Sequence, residues 1–127
     1  MTRSRGTQLK GTRVLILEDE CLLADDLARA LREAGGEPVG PVSTVEQAEE
    51  LIAREELDAA ILDLNLRGKM ASEFIERLAA TDLPCLIVSG YGRDALPDSV
   101  RNVSRVEKPA SPSRVMDCLA AELARAD

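Results

Sequence analysis

Short apolar runs alternate along this chain with longer stretches of helical periodicity. That alternation restricts the fold to a parallel α/β sheet with helices on both faces. The runs are Val14-Leu15-Ile16-Leu17, Ala59-Ala60-Ile61-Leu62, Cys85-Leu86-Ile87-Val88 and Val103-Ser104-Arg105-Val106. A weaker strand spans 37–42, interrupted by Pro38 and Pro41. Between the runs, Leu23, Leu27, Ala30, Leu31 and Ala34 form one helical stripe, ended by Gly35-Gly36. Val45, Ala48 and Ile52 form a second, with Ser43 or Thr44 placed to cap it and Glu46 or Gln47 three residues on. Met70, Phe74 and Leu78 form a third. A last helix starts near Ser111-Pro112 and buries Val115, Cys118, Leu119 and Leu123. The interval from Gly90 to Asn102 contains two glycines and Pro97 and few strongly apolar residues, so a short or partly disordered helix is expected there. Residues 1–11 are polar, basic and unpatterned, and are expected to be a flexible tail ahead of a single domain spanning 12–127.

Each run ends on a polar residue. The first leads into Glu18-Asp19-Glu20, the second into Asp63, the third into Ser89, and the fourth through Glu107 into Lys108-Pro109. Parallel strands end on one edge, and ligands of such sheets bind outside that carboxyl edge. Carboxylates, a hydroxyl and an ammonium therefore meet in one crevice. A carboxylate such as Asp63 can attack phosphorus as a nucleophile. Beside Glu18 and Asp19 it needs a hard cation, and Mg²⁺, which takes oxygen ligands in octahedral geometry, suits the set. The main-chain oxygen of Asn65 is a further candidate ligand, while Ser89 and Lys108 can hold phosphoryl oxygens. Taken singly, each residue has a plainer reading. An acidic triplet favours a helix N-terminus, an Asp or Ser after a strand is an ordinary turn residue, and Lys-Pro is a common surface pair. Their joint occurrence in order, each at a strand end, is what those readings leave unexplained.

Composition narrows the partners. The net charge is −7, and because residues 1–11 carry three basic groups and no acid, the remainder holds 13 basic against 23 acidic residues. That opposes nucleic acid or an anionic membrane surface as a main partner. One Phe, one Tyr and no Trp argue against base stacking. Cys21, Cys85 and Cys118 are widely spaced and odd in number, and are expected to be reduced, mostly buried thiols of a cytoplasmic protein. No His is available as proton shuttle. No apolar run reaches the length needed to span a bilayer.

The ordered set Glu18-Asp19, Asp63, Ser89 and Lys108-Pro109 resembles the receiver domain of two-component response regulators, over about residues 12–125. The resemblance implies a flavodoxin-like (βα)5 fold of strand order 2-1-3-4-5. It implies Mg²⁺-dependent phosphorylation of Asp63 by a histidine kinase or phosphotransfer protein, followed by slow loss of the phosphoryl group, in a regulator that is not a classical enzyme. It also makes Glu18, Asp19 and Asp63 metal ligands together with the Asn65 main-chain oxygen, gives Ser89 and Lys108 the phosphoryl group, and makes the peptide before Pro109 cis. A downstream protein partner and a monomer or weak dimer are expected. The chain departs from the family at Arg105, which stands where many receivers carry an aromatic switch residue. Val88-Ser89-Gly90-Tyr91-Gly92 is similar to a subgroup of single-domain receivers with a Phe-Ala-Thr-Gly-Tyr signature and a reduced fourth helix. Tyr91 is either an ordinary turn aromatic or the moving reporter that replaces the missing aromatic, with residues 92–102 reordered on phosphorylation.

Two other classes compete. A Toprim-type Mg²⁺-dependent transferase, or a haloacid-dehalogenase-like phosphatase, needs a second Asp where Asp63-Leu64-Asn65 has Asn, and the Toprim reading leaves Lys108-Pro109 unexplained. A pseudo-receiver that binds partners without phosphorylation would not require the full residue set.

Overall fold

The computed structural model describes residues 9–90 and 96–126. Five parallel strands, β1 (Arg13–Leu17), β2 (Glu37–Val42), β3 (Ala59–Leu62), β6 (Cys85–Ser89) and β7 (Ser104–Glu107), form one sheet in the order β2-β1-β3-β6-β7. Counting these strands alone, that is 2-1-3-4-5, the doubly wound flavodoxin-like order. Two further strands of two residues each, β4 (Asn65–Leu66) and β5 (Lys69–Met70), make a separate antiparallel hairpin.

Helices cover both faces. α1 (Cys21–Glu33) and α4 (Pro112–Ala126) pack Leu27, Leu31, Val115, Met116 and Leu119 against Val14, Ile16, Ile61, Leu86 and Val88. On the other face, α2 (Val45–Arg54) and α3 (Ser72–Ala79) bury Ala48, Phe74, Ile75 and Leu78 over Leu15, Leu17, Leu62 and Ile87. The alternation of these residues along each strand is the period-2 pattern of a sheet covered twice. Each fully buried Leu or Ile contributes about 1.5–3 kcal/mol, and this aliphatic packing replaces the aromatic core the chain lacks. The last turn of α1 is closed from Gly36, whose N–H donates to the Leu31 carbonyl, and a Cβ at Gly36 would lie 2.5 Å from the Leu31 side chain. α2 starts with a reciprocal cap. The Gln47 N–H donates to the Thr44 hydroxyl and the Ser43 N–H to the Gln47 side chain.

β2 tolerates its prolines through a bulge at an edge. Leu15 pairs with Val39 and Leu17 with Val42, leaving Gly40 and Pro41 together opposite Ile16. Gly40 has φ +98°, and a Cβ there would meet the Val42 amide nitrogen at 2.9 Å, so the bulge requires glycine.

Three expectations need correction. Leu9, assigned to the tail, is fully buried in the α1/α4 core, and the Gly11 N–H donates to the Gly35 carbonyl, so the packed fold takes in residues 9–11; the polar neighbours of Leu9 conceal it in the sequence. Met70 is not part of the α3 stripe. Arg67 and Gly68 both have positive φ, as a two-residue hairpin turn demands. Met70 consequently pairs with Asn65 and is exposed, and helix starts only at Ser72. Of the cysteines only Cys85 is buried, while Cys21 opens α1 on the surface and Cys118 is half-buried. Burial pushes the Cys85 thiol up to about 12.

Between β6 and β7 the described residues hold a single 3₁₀ turn, Asp98–Val100, in place of a long helix. Leu96 and Val100 are buried against the α3 side of the core. Tyr91, and the reordering expected around it, lie outside the described residues.

Leu9→Ala is expected to lower the unfolding free energy by about 2–5 kcal/mol, measured by urea denaturation. A loss near zero would return Leu9 to the tail.

Candidate phosphoryl and metal site

The strand ladders run one residue past the strands and carry the polar residues with them. The Glu18 N–H donates to the Val42 carbonyl at 2.9 Å, the Asp63 N–H to the Leu17 carbonyl at 2.8 Å, and the Lys108 N–H to the Ser89 carbonyl at 2.7 Å. Glu18 and Asp63 are thereby set side by side on neighbouring strands, and Lys108 is tied to the end of β6. Glu18, Asp63 and Ser89 are the buried polar or charged residues of the described chain, at 3%, 4% and 1% exposure, and all three lie on this one edge. A surface groove of about 670 Å³ sits between α2 and the hairpin. Buried charge, not cavity size, marks the crevice.

One ammonium serves three carboxylates. Lys108 Nζ lies 3.2 Å from Glu18 Oε1, 3.2 Å from Glu20 Oε2 and 3.3 Å from Asp63 Oδ2. Asp19, the fourth acid, is 3.9 Å from Arg67 Nε at the tip of the hairpin. Backbone donors complete the cradle. The Glu20 N–H donates to Glu18 Oε2 at 3.0 Å, and the Asn65 N–H to Asp63 Oδ1 at 3.2 Å. The Asn65 side chain accepts from the Gly68 N–H at 2.8 Å and braces the hairpin. The Lys108–Pro109 peptide is cis. Arg105 is half-buried on β7 and pairs with Glu107 at 3.7 Å.

The compensation is incomplete. Among the described residues four carboxylates face two cations, and two negative charges remain when all are ionised. Glu18 Oε1 is buried and accepts no hydrogen bond from the described residues, although the Lys108 ammonium stands beside it out of line. Glu18, Asp19 and Asp63 each offer a carboxylate oxygen within 4.8 Å of the others. An orphaned buried acceptor, three converging carboxylates and a deficit of two charges fit a divalent cation that takes oxygen ligands.

Protonation follows from the same deficit. Burial, and then the adjoining Asp63 carboxyl, push Glu18 from its ordinary 4.5 up to about 8. Burial raises Asp63 as well, against the opposing pull of its hydrogen bond with Glu18 and of the Lys108 charge. Lys108 is itself raised, because burial, which would lower it, is outweighed by Asp63 and Glu18.

Sequence reasoning named Glu18, Asp19, Asp63, Asn65, Ser89 and Lys108, and all six lie on this edge. It missed Glu20, the third residue of an acidic triplet of which only two were used, and Arg67, which nothing in the linear pattern aims at Asp19.

A family model described as "Response regulator receiver domain" matches residues 14–119. The chain belongs to the response regulator receiver domain family. The receiver is 30% identical over 110 residues to the transcriptional regulatory protein PdtaR of Mycobacterium tuberculosis, which covers 86% of this chain and 54% of PdtaR. It thus spans about half the length of the curated relatives it matches. The solution structure of SdrG from Sphingomonas melonis Fr1 is 37% identical, with a TM-score of 0.75 over 92% of this chain and 98% of SdrG. The receiver domain of Erythrobacter litoralis PhyR is 28% identical, with a TM-score of 0.78 over 90% and 91%. A CheY-like receiver from Methanospirillum hungatei JF-1, 21% identical with a TM-score of 0.79 over 92% and 97%, shares the fold.

Between about pH 4.5 and 8 the folded receiver holds a proton on Glu18 that the unfolded chain releases. Stability should therefore fall as pH rises through that window. Mg²⁺ should oppose the fall, since a cation replaces the proton and binds only the folded state. Melting curves from pH 5 to 8.5 with and without Mg²⁺ test this, and two superimposable, flat pH profiles would refute it.

Proposed function

We propose that this receiver accepts a phosphoryl group on Asp63 in a Mg²⁺-dependent transfer from a histidine kinase or a phosphotransfer protein. The observation that carries the reading is the pairing of the buried Asp63 carboxylate with Lys108 beside the unsatisfied Glu18 oxygen. An Asp at the end of a strand has no reason to be buried among acids unless its oxygens are used.

Glu18, Asp19 and Asp63, with the Asn65 main-chain oxygen, would hold the Mg²⁺. When bound, the ion neutralises charge on the transferring group and on the acids around it. Asp63 uses its carboxylate oxygen as nucleophile. A P–O bond forms, the bond from phosphorus to the donor nitrogen breaks, and the electron pair leaves with the donor imidazole. Lys108 follows the phosphoryl oxygens as a point charge that needs no proton transfer. Ser89, whose carbonyl accepts from the Lys108 N–H, would donate its hydroxyl to another oxygen. Loss of the phosphoryl group to water returns the receiver to its starting state slowly, since the chain has no His to act as base. Signal output proceeds through protein contact, or the receiver drains phosphoryl groups from its donor. Arg105, on β7, would replace an aromatic rotamer with its ion pair to Glu107 as the element that responds. Among the described residues no helix is long and apolar enough to cross a membrane, and we infer that the receiver works in the cytoplasm as a monomer or weak dimer.

Incubation with a small phosphodonor and Mg²⁺ should give an acid-stable, base-labile adduct at Asp63, detected by intact-protein and peptide mass spectrometry. Asp63→Asn should abolish it, and chelation of Mg²⁺ should reduce it at least 100-fold. An adduct that persists in Asp63→Asn, or none in the native protein, would overturn the assignment. A transferase or phosphatase would instead turn over the donor without retaining the group.

A further inference from the structure

Glu20 is built into the crevice from both ends. Its N–H donates to Glu18 Oε2, and its carboxylate reaches the Lys108 ammonium at 3.2 Å. Glu20 is also the N-cap residue of α1, where a side chain ordinarily turns back onto the first amides of the helix; it makes no such bond. The carboxylate is committed to Lys108 instead, and it stands at the exposed mouth of the site, whereas Glu18 and Asp63 are buried.

We propose that Glu20 is a positioning residue that restrains Lys108 and thereby weakens its hold on the phosphoryl group carried by Asp63. This rests on the phosphoryl-transfer reading above. Lys108 has three anionic partners in the resting site. A bound cation would be held by Glu18 and Asp63, which would leave Glu20 as the partner of Lys108 with an uncommitted charge. The phosphoryl group on Asp63 must take the ammonium from it. Glu20 and the phosphoryl oxygens compete for one point charge, and every moment Lys108 spends outward is a moment in which the phosphoryl group lacks its counter-ion. Glu20 has a second, opposite effect through its charge alone, because a nearby anion draws a divalent cation into the crevice.

Two variants separate the effects. Glu20→Gln removes the charge and keeps the length. Glu20→Asp keeps the charge and withdraws it by one methylene from Lys108. Affinity for beryllofluoride in saturating Mg²⁺ reads the hold on a phosphoryl-like group, and titration calorimetry with Mg²⁺ alone reads the metal. Both variants should bind beryllofluoride about two- to five-fold more tightly, the range of an exposed ion pair. Mg²⁺ affinity should fall in Glu20→Gln and hold in Glu20→Asp. In a Lys108→Ala background neither substitution should alter beryllofluoride binding, because the residue acts through Lys108. Unchanged or weakened beryllofluoride binding in both variants, or an undiminished effect without Lys108, overturns the proposal. Absence of any Mg²⁺-dependent beryllofluoride binding in the native protein would instead refute the phosphoryl reading itself, so the two failures are distinct.

Discussion

The parallel ladder of β1, β3, β6 and β7 is the constraint on which everything else depends. Its hydrogen bonds do not stop where the strands do. They continue through Glu18, Asp63 and Lys108, so that the backbone, not the side chains, decides which charges become neighbours. A one-residue slip would turn Asp63 into the core and Leu62 toward the crevice. The aliphatic layers beneath hold that register because Leu15, Leu17 and Leu62 pack on one face, and Val14, Ile16 and Ile61 on the other.

Gathering acids at the end of a hydrophobic sheet is unfavourable, and the structure relieves it only in part. Lys108 divides one positive charge among three carboxylates, and the raised proton affinities of Glu18 and Asp63 record what is left over. The site therefore favours any species that brings two positive charges to oxygen. The same imbalance that raises the proton affinity of Glu18 fits the crevice to a hard cation. Stability and reactivity draw here on a single electrostatic deficit.

Much of this was legible in the sequence. Apolar runs bounded by polar residues identified the sheet and the edge on which Glu18, Asp63, Ser89 and Lys108 meet, because strand direction alone determines that placement. The failures are of another kind. Leu9 is one apolar residue in a polar stretch and has no periodicity to betray its burial. Met70 fits the helical stripe of Phe74 and Leu78, but the positive φ angles of Arg67 and Gly68 divert the chain into a hairpin first. Glu20 and Arg67 act through contacts with residues 88 and 48 positions away in the chain, which no local pattern encodes.

The burial of Leu9 has a consequence for how this receiver can be joined to other proteins. Leu9–Thr12 turns beside Gly35, ahead of β1 and β2, at the amino edge of the sheet. α4 starts just after the crevice at Pro112 and runs back against the strands for 15 residues, about 22 Å. Both ends of the packed domain thus leave on the side away from Asp63. A domain fused at either end would therefore be joined to the receiver at the pole away from the crevice. Points of attachment and the acidic crevice thus occupy opposite poles of the described fold.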